Sequence, residues 1–417
     1  MRIAWFSPLP PMASGIADYS AELLPFLAEE AEVEAFCPAA RLGRLVQAPA
    51  GIPVLHPRTF GERAHRYDAV FYHLGNNPFH AFVYRASLRW PGVAVLHEVV
   101  LHHLIENMLL PDRSSDLTEY GQLLVAEYGP VGRRLQHLRA AGAVTGFELF
   151  LFPLSGHVVR ASRAAVVHTS GAREQVEIAA HGVPVTVIPH HAGLAPPEVA
   201  GMSREEARAR LGLPPGAFLV GQFGFITKPK QPAAVLDGFQ RLLERRPDAL
   251  LLMVGENQVG VGVQEMVRRR GFQERVRMTG YVDRTRFHLL LKAVDAVVNL
   301  RYPSAGEASG TFTRALAEGR AAVVNNLGPF AEVPSDVCLK VEVDADQAEQ
   351  VARHLVRLAE DRAFASRLEA RARQYARTAL DPRRCAEMYL EVARTTGQRP
   401  LPAAAGSRPR IGLPINP

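Results

Sequence analysis

The sequence predicts an α/β protein of two doubly wound parallel-sheet domains facing each other across a cleft. Three observations lead there. Apolar runs of strand length alternate with helix-period segments along nearly the whole chain, the pattern of parallel sheets wrapped by helices. A stretch from Pro189 to Pro215, containing Pro196, Pro197, Pro214 and Pro215, divides that alternation into two series. The length, 417 residues, is that of two globular domains at roughly 100–200 residues each.

In the first series, strands are expected near Arg2–Ser7, Glu32–Phe36, Asp68–His73, Val93–His97, Ala164–His168 and Val185–Ile188. Helical periodicity covers Ala17–Ala28, His80–Arg89, Asp116–Arg139, Glu148–Arg160 and Ala172–Ala180. The second series has strands at Phe218–Phe223, Leu250–Val254, Val276–Thr279, Ala296–Leu300 and Ala321–Val324, each followed by a helix-length segment. Helices from Asp344 to about Arg394 close the fold. These readings divide the chain into a first domain at 1–195, a second at 196–380 and a C-terminal helix at 381–396 that is expected to pack back on the first domain. Residues 397–417 lack periodicity and hold five prolines, so they read as a disordered tail.

Composition removes several classes. A hydrophobic fraction of 47% is too high for a disordered chain. No apolar run approaches the roughly 18 residues that a spanning helix needs. The start, Met1 to Gly15, is interrupted by Pro8, Pro10 and Pro11 and reads as a buried strand entering a loop rather than a signal peptide. Cys37, Cys338 and Cys385 are too scattered for a disulfide framework or a thiolate metal site, which points to a cytoplasmic protein. Residues 1–195 carry 15 basic and 17 acidic side chains, so the net +6 comes from the second half. A surplus so spread out argues against nucleic acid, where a concentrated basic face is expected.

In doubly wound sheets, ligands bind beyond the carboxyl ends of the strands, and the informative residues follow strands here. After the first comes a proline-rich loop in which Gly15 opens a helix, a place for an anion or only a tight turn. The loop is neither a dinucleotide Gly-x-Gly-x-x-Gly motif nor a Walker loop. The first strand of the second domain ends in Gly221-Gln-Phe-Gly-Phe-Ile-Thr-Lys-Pro-Lys-Gln231. Gly224 permits close backbone approach. Lys228 and Lys230, two of only four lysines in the chain, reach a phosphate or are solvated. The third segment, Asn299 to Arg320, runs from a strand end through a polar loop into a helix beginning near Gly310. There the amides of Gly310 and Thr311 suit a phosphate. Glu307, three residues ahead, either accepts from sugar hydroxyls or interacts with the helix dipole.

Together these three segments, with Tyr72-His-Leu-Gly-Asn-Asn-Pro-Phe-His80 and Val95-Leu-His-Glu-Val-Val-Leu-His-His103, resemble retaining glycosyltransferase family 4. The resemblance covers about residues 2–395. It implies a GT-B fold of two Rossmann-like domains and a nucleotide-diphosphate sugar, UDP-, GDP- or ADP-linked, as donor substrate, with no permanently bound cofactor and no metal. By this likeness Lys230 matches the lysine on the donor diphosphate, and Glu307 the glutamate that holds the transferred sugar. Gly310 and Thr311 match the amides on the diphosphate, with Ser309 beside them in the binding set. Gly224 and Lys228 belong to the phosphate loop. Tyr281 and Val282 match the stretch beside the nucleobase. Gly15 and Ile16 match the first-domain loop facing donor phosphate and acceptor, and His97 the histidine beside the sugar.

The sequence departs from the family at two points. Phe225 stands where an arginine is usual, and Ala315 where a second glutamate binds ribose; Glu318, three residues on, is the substitute at hand. The implied acceptor is a glycan or glycolipid of cell-envelope or exopolysaccharide synthesis, with transient contact to the inner membrane surface aided by the Arg-bearing tail. Two rival readings remain at this stage: a catalytically degenerate subunit that binds a nucleotide sugar or a partner, and another GT-B enzyme such as a nucleotide-sugar epimerase or a phosphorylase. His97, His102 and His103 near Glu98 and Glu106 also raise a metal site, against which stands the lack of a His-Glu-x-x-His pattern. His190 and His191, at the junction, either reach the cleft or are solvated.

Overall fold

A computed structural model describes residues 1–38, 51–110, 117–258 and 260–397, which form two units. The first comprises Met1–Pro189, Ala305–Ala308 and the segment from Arg383; the second comprises His190–Ser304 and Ser309–Pro382. The first unit carries strands β1 (Arg2–Phe6), β2 (Glu32–Phe36), β3 (Val54–Leu55), β4 (Ala69–Leu74), β5 (Val93–Leu96), β6 (Ala164–Val167) and β7 (Val185–Val187). They form a wholly parallel sheet in the order β3-β2-β1-β4-β5-β6-β7. Around it lie helices α1 (Gly15–Ala28), α2 (Phe60–Arg63), α3 (Ala81–Arg89), α4 (His102–Leu109), α5 (Thr118–Ala140), α6 (Glu148–Leu151), α7 (Gly156–Arg160) and α8 (Ser170–Ala179).

In the second unit a parallel sheet runs β10-β9-β8-β11-β12-β13. Its strands are β8 (Leu219–Phe223), β9 (Leu250–Val254), β10 (Val276–Gly280), β11 (Ala296–Asn299), β12 (Ala321–Asn325) and β13 (Leu339–Val341). Its helices are α9 (Arg204–Leu211), α10 (Pro232–Arg245), α11 (Val263–Arg269), α12 (Arg284–Ala293), α13 (Gly310–Ala317), α14 (Gln347–Glu360) and α15 (Arg362–Ala379). The last helix, α16 (Pro382–Gly397), lies almost wholly in the first unit.

Both sheets reverse strand order once, between β1 and β4 and between β8 and β11, and a crevice opens beyond the carboxyl ends at such a reversal. Every residue of β8 and β9 is buried, as expected of strands covered on both faces. On one face of the first sheet, Tyr389, Leu390 and Ala393 of α16 share a core with Ile3, Trp5, Phe71 and Val95. There the Tyr19 and Tyr389 hydroxyls meet at 3.0 Å.

The structure alters several expected elements. Glu148–Arg160 is two short helices rather than one. Pro153 cannot continue a helix and pushes its predecessor out of the α region, and Leu154 turns to φ 54°. α5 carries a kink at Gly129 (φ 57°, ψ −131°), directly before Pro130; the expected helix start at Asp116 lies outside the described residues, as does the tail from 398 onward. The strand β13 went unanticipated, since three residues of apolar sequence are too short to signal. α9 was also hidden, inside the proline-rich connection. Ser203 caps it and Glu206 reaches back, a capping box whose sequence signature, Ser-x-x-Glu, was there to be read.

α9 is anchored by charge. Arg208 is buried and donates to Ala293 O (2.9 Å), Pro215 O (2.7 Å) and Asp295 Oδ2 (2.6 Å). Asp295 also accepts from Arg204 at 3.0 Å and from the Leu219 N–H at 2.7 Å. Removing the carboxylate strands Arg208 away from water. Asp295→Ala is expected to cost about 3 kcal/mol of unfolding free energy in urea denaturation, the scale of a broken buried ion pair.

Candidate functional site

In the second unit, residues beyond two strand ends converge. Beyond β8, Gly224 adopts φ 79°, a left-handed conformation that a side chain resists. A Cβ there would lie 2.6 Å from Lys230 Nζ and 3.4 Å from Thr311 Oγ1. Three residues singled out from the sequence thus meet at one point. Lys230 is buried; its ammonium donates to Phe223 O at 2.7 Å, while Gln222 Nε2 holds its backbone carbonyl at 2.9 Å. Thr311 stands in the first turn of α13, capped by Ser309, whose Oγ accepts from the Phe312 N–H at 3.3 Å. A Cβ on Gly310 would come within 2.8 Å of Arg314 Nη1 and 3.3 Å of the His190 ring, so the backbone there is closely walled.

A cation beside a helix N-terminus is unfavourable until an anion joins them, because the ammonium and the helix dipole present the same sign. Lys230 and α13 therefore suit a phosphate-class ligand, bound by a point charge and bare amides. Lys228 and Phe225 are exposed on the same loop. Tyr281 is exposed just beyond β10, and Val282 packs against the core that includes Leu219 and Val254.

The two glutamates part company. Glu307 lies in the short segment assigned to the first unit, half-buried, and Oε2 accepts from the Ala305 N–H at 2.6 Å. Glu318, expected to replace the missing ribose ligand, is not brought to the amino end of α13. It caps the carboxyl end, about 12 Å along the axis at 1.5 Å per residue. There Lys292 Nζ donates to it at 2.6 Å and His288 Nδ1 at 3.3 Å. Burial pushes this carboxyl up, but the bonds from His288 and Lys292 outweigh it and leave it below its ordinary value. Ala315 is fully buried in an apolar core, so that position supplies no polar contact.

In the first unit Gly15 starts α1 in open space, and Ser14 Oγ accepts from the Ile16 N–H at 3.3 Å. Ile16 is buried against the loop after β4: a Cβ on Gly75 would meet Ile16 Cδ1 at 2.4 Å and His80 Nε2 at 2.9 Å. His97 lies within a row of imidazoles. His73 closes toward the end of β4, while His97 and His168 directly follow β5 and β6. His73 Nδ1 is 2.9 Å from His97 Nε2, His97 Nδ1 is 3.0 Å from His168 Nε2, and His168 Nδ1 is 2.8 Å from Ile188 O.

The carbonyl fixes every proton in this row. Ile188 O only accepts, so His168 carries its proton on Nδ1 and offers Nε2 as acceptor. His97 must then donate from Nδ1, and His73 likewise. Burial holds His73 well below its ordinary range and His168 at about 4. Trp5 stacks on His73 at 4.0 Å between centroids, and Tyr19 meets His97 edge-on at 4.7 Å. Both ring nitrogens of His97 are thus engaged by other imidazoles. The sequence signal for His73 and His168 was present but unused: a histidine closing three strands that prove adjacent.

His102 is structural, its nitrogens 2.6 Å from Phe152 O and 2.5 Å from the Tyr120 hydroxyl. Among the described residues no group of three or more His, Cys, Asp or Glu side chains is placed to hold a metal. His190 is buried within the second unit, its Nδ1 donating to His191 O at 2.8 Å.

Residues 203–378 match the family described as glycosyl transferases group 1. That segment is thus similar to the group 1 glycosyltransferase family. It contains β8 to β13 and hence Gly224, Lys230 and α13. No curated protein sequence matches the chain. Among solved structures the chain is similar to HepE of Anabaena, crystallised with UDP and glucose, at 19% identity and a TM-score of 0.63, covering 95% of this chain and 100% of that one. It is likewise similar to sucrose-phosphate synthase of Thermosynechococcus elongatus (14% identity, TM-score 0.64, 95% and 98% covered). A third likeness is to WaaG, a glycosyltransferase involved in lipopolysaccharide biosynthesis (15% identity, TM-score 0.61, 93% and 99% covered). The fold of the two parallel-sheet units is GT-B.

Two measurements check this geometry. Nitrogen-15 NMR of the imidazoles at pH 7 is expected to show His73, His97 and His168 all as Nδ1–H tautomers; a dominant Nε2–H form in any of them contradicts the row. Glu318→Gln should cost about 2 kcal/mol of stability at neutral pH, the scale of charge-assisted bonds lost in a buried setting. Because the folded state lowers this carboxyl's pKa, its stabilisation is complete above the unfolded value of about 4.5 and fades as pH falls below it. The gap between wild type and Glu318→Gln should close on acidification through that range.

Proposed function

We propose that the protein is a retaining glycosyltransferase of family 4 type, moving a sugar from a nucleotide diphosphate to a hydroxyl of a glycan or glycolipid. The observation that carries this reading is the convergence of the buried Lys230 ammonium, Gly224 and Thr311 at the amino end of α13. Breaking the anomeric bond places growing negative charge on the departing diphosphate. Lys230 and the amides of Gly310 and Thr311 are already oriented for that charge, so little reorganisation is needed as it forms. Gly224 lets the diphosphate approach the backbone where a side chain would block it.

Glu307 accepts from hydroxyls of the transferred sugar and fixes its ring. The proton of the acceptor hydroxyl passes to the leaving phosphate on the same face, and the new glycosidic bond forms where the old one broke. The nucleobase stacks beside Tyr281 and Val282. UDP is the nucleotide to test first, since the HepE structure holds UDP; GDP- and ADP-sugars are the other arms. Position 315 does not read the ribose, and Glu318 is committed elsewhere, so the ribose hydroxyls are met by other groups. The acceptor places the enzyme in cell-envelope or exopolysaccharide synthesis, working in the cytoplasm with transient contact to the inner membrane. None of the described helices is long and apolar enough to cross a membrane.

A melting-temperature screen with UDP-, GDP- and ADP-sugars identifies the donor, because a ligand that binds only the folded state raises its stability. With that donor, Lys230→Ala and Glu307→Ala are each expected to lower transfer by at least about tenfold, and the product anomer seen by NMR should match the donor's. Near-normal turnover in both variants would refute the assignment. Donor binding with no transfer to any acceptor would favour a degenerate binding subunit instead.

A further inference from the structure

At the amino ends of β4, β5 and β6 the first unit holds a cavity of about 170 Å³. Phe71 lies opposite Val93 and Val93 opposite Ala164, which brings Val70, Gly92 and Arg163 to one level along its edge. The Arg163 N–H donates to Gly92 O at 2.8 Å and holds that edge together. Aromatic rings supply the walls. Phe60 and Tyr67 stack at 5.6 Å between centroids, and Phe60 meets Trp90 edge-on at 5.3 Å. The crevice beyond the carboxyl ends is a strand length away, about 20 Å for the six residues of β4. The transferase reading therefore makes no use of this place.

One polar atom in the lining lacks what burial demands. Arg163 Nε is shut off from solvent and has no hydrogen-bond partner, and among the described residues no carboxylate pairs with its guanidinium. A buried donor left unpaired costs free energy that a ligand acceptor recovers. The charge of Arg163 is felt inside the unit, where it opposes the upward push of burial on the Tyr72 hydroxyl. The Arg89 guanidinium lies over the Trp90 ring at 4.6 Å from its centroid, so further positive charge stands beside the wall. Asp68, which also lines the cavity, is exposed, and its Oδ2 accepts from the Arg2 N–H at 2.7 Å. That carboxylate disfavours a ligand with more than one negative charge. The volume is close to the roughly 150 Å³ that accommodates a benzene ring. A flat ring suits aromatic walls, and a carboxylate suits the guanidinium fork.

We propose that this cavity binds a small monocarboxylate carrying a single ring, with the carboxylate on Arg163 and the ring against Phe60, Tyr67 and Trp90. The test is nitrogen-15 NMR of the two tryptophan indoles in the full chain, with benzoate as the probe and benzamide as its uncharged counterpart. Trp90→Phe assigns the Trp90 signal. Trp5, buried with its Nε1–H on Ser20 Oγ at 3.0 Å, is the internal control. Benzoate should shift the Trp90 signal saturably and leave that of Trp5 in place. Benzamide should bind at least about tenfold more weakly, the scale of one bond to a charged group. Arg163→Gln should weaken benzoate by the same factor and make the two probes equal. Ala64→Leu, which fills the cavity from its wall, should abolish the shift, and a single cooperative melt checks that each variant is folded. No saturable Trp90 shift with benzoate in wild type, or equal benzoate affinity in wild type and folded Arg163→Gln, overturns the proposal.

Discussion

A buried ammonium at the amino end of a helix is the constraint around which the second unit is organised. Lys230 and α13 present like signs to the same small volume, and neither can move far. The lysine is held by Phe223 O and Gln222, and the helix by the Ser309 cap and its packing. Such an arrangement is tolerable with a carbonyl nearby and becomes favourable when an anion fills it. Much of the local sequence then follows. Gly224 cannot bear a side chain without striking Lys230, and Gly255 cannot without striking Gly224 O at 2.4 Å. β8, β9 and β11 are buried throughout, so the platform beneath the anion is stiff.

The first unit is organised the other way, by keeping charge out. Three imidazoles are buried side by side with Trp5 and Tyr19 over them, and the Ile188 carbonyl anchors the row to the backbone. Desolvation keeps His73 and His168 neutral, and a neutral imidazole is a directional link with one donor and one acceptor.

The fold was largely legible because strand-length apolar runs and the turns after them report directly on a parallel sheet. Eleven of the strands coincide with such runs; β3 and β13, two and three residues long, carry too little pattern to stand out. The helix boundary errors share one cause, since Pro153 and the Gly129-Pro130 pair interrupt periodicity that otherwise continues. The convergence of Gly224, Lys230 and Thr311 was legible because backbone approach and charge leave marks in residue type. Glu318 misled because helical spacing reports which face a side chain shares, not which end of the helix its ligand occupies. His73 and His168 were missed because a histidine row is a property of strand order, which the sequence does not print.

The scarcity of lysine sharpens the same point. The chain uses arginine for nearly all its positive charge, and of its four lysines three are committed within the second unit: Lys230 to Phe223 O, Lys292 to Glu318, Lys340 to Ala331 O. At position 230 the reason is steric as well as electrostatic. The ammonium sits only 2.6 Å from where a Cβ on Gly224 would be, with Thr311 Oγ1 closing the other side. A guanidinium is planar and wider, and its fork suits two coplanar acceptors, whereas Lys230 donates to the Phe223 carbonyl close to a helix end. A compact point charge fits that space and leaves the remaining coordination to the ligand. Arginine suffices where charge faces solvent or a carboxylate, as Arg204 and Arg208 do on Asp295; lysine remains where a single charge must share a crowded corner with an incoming anion.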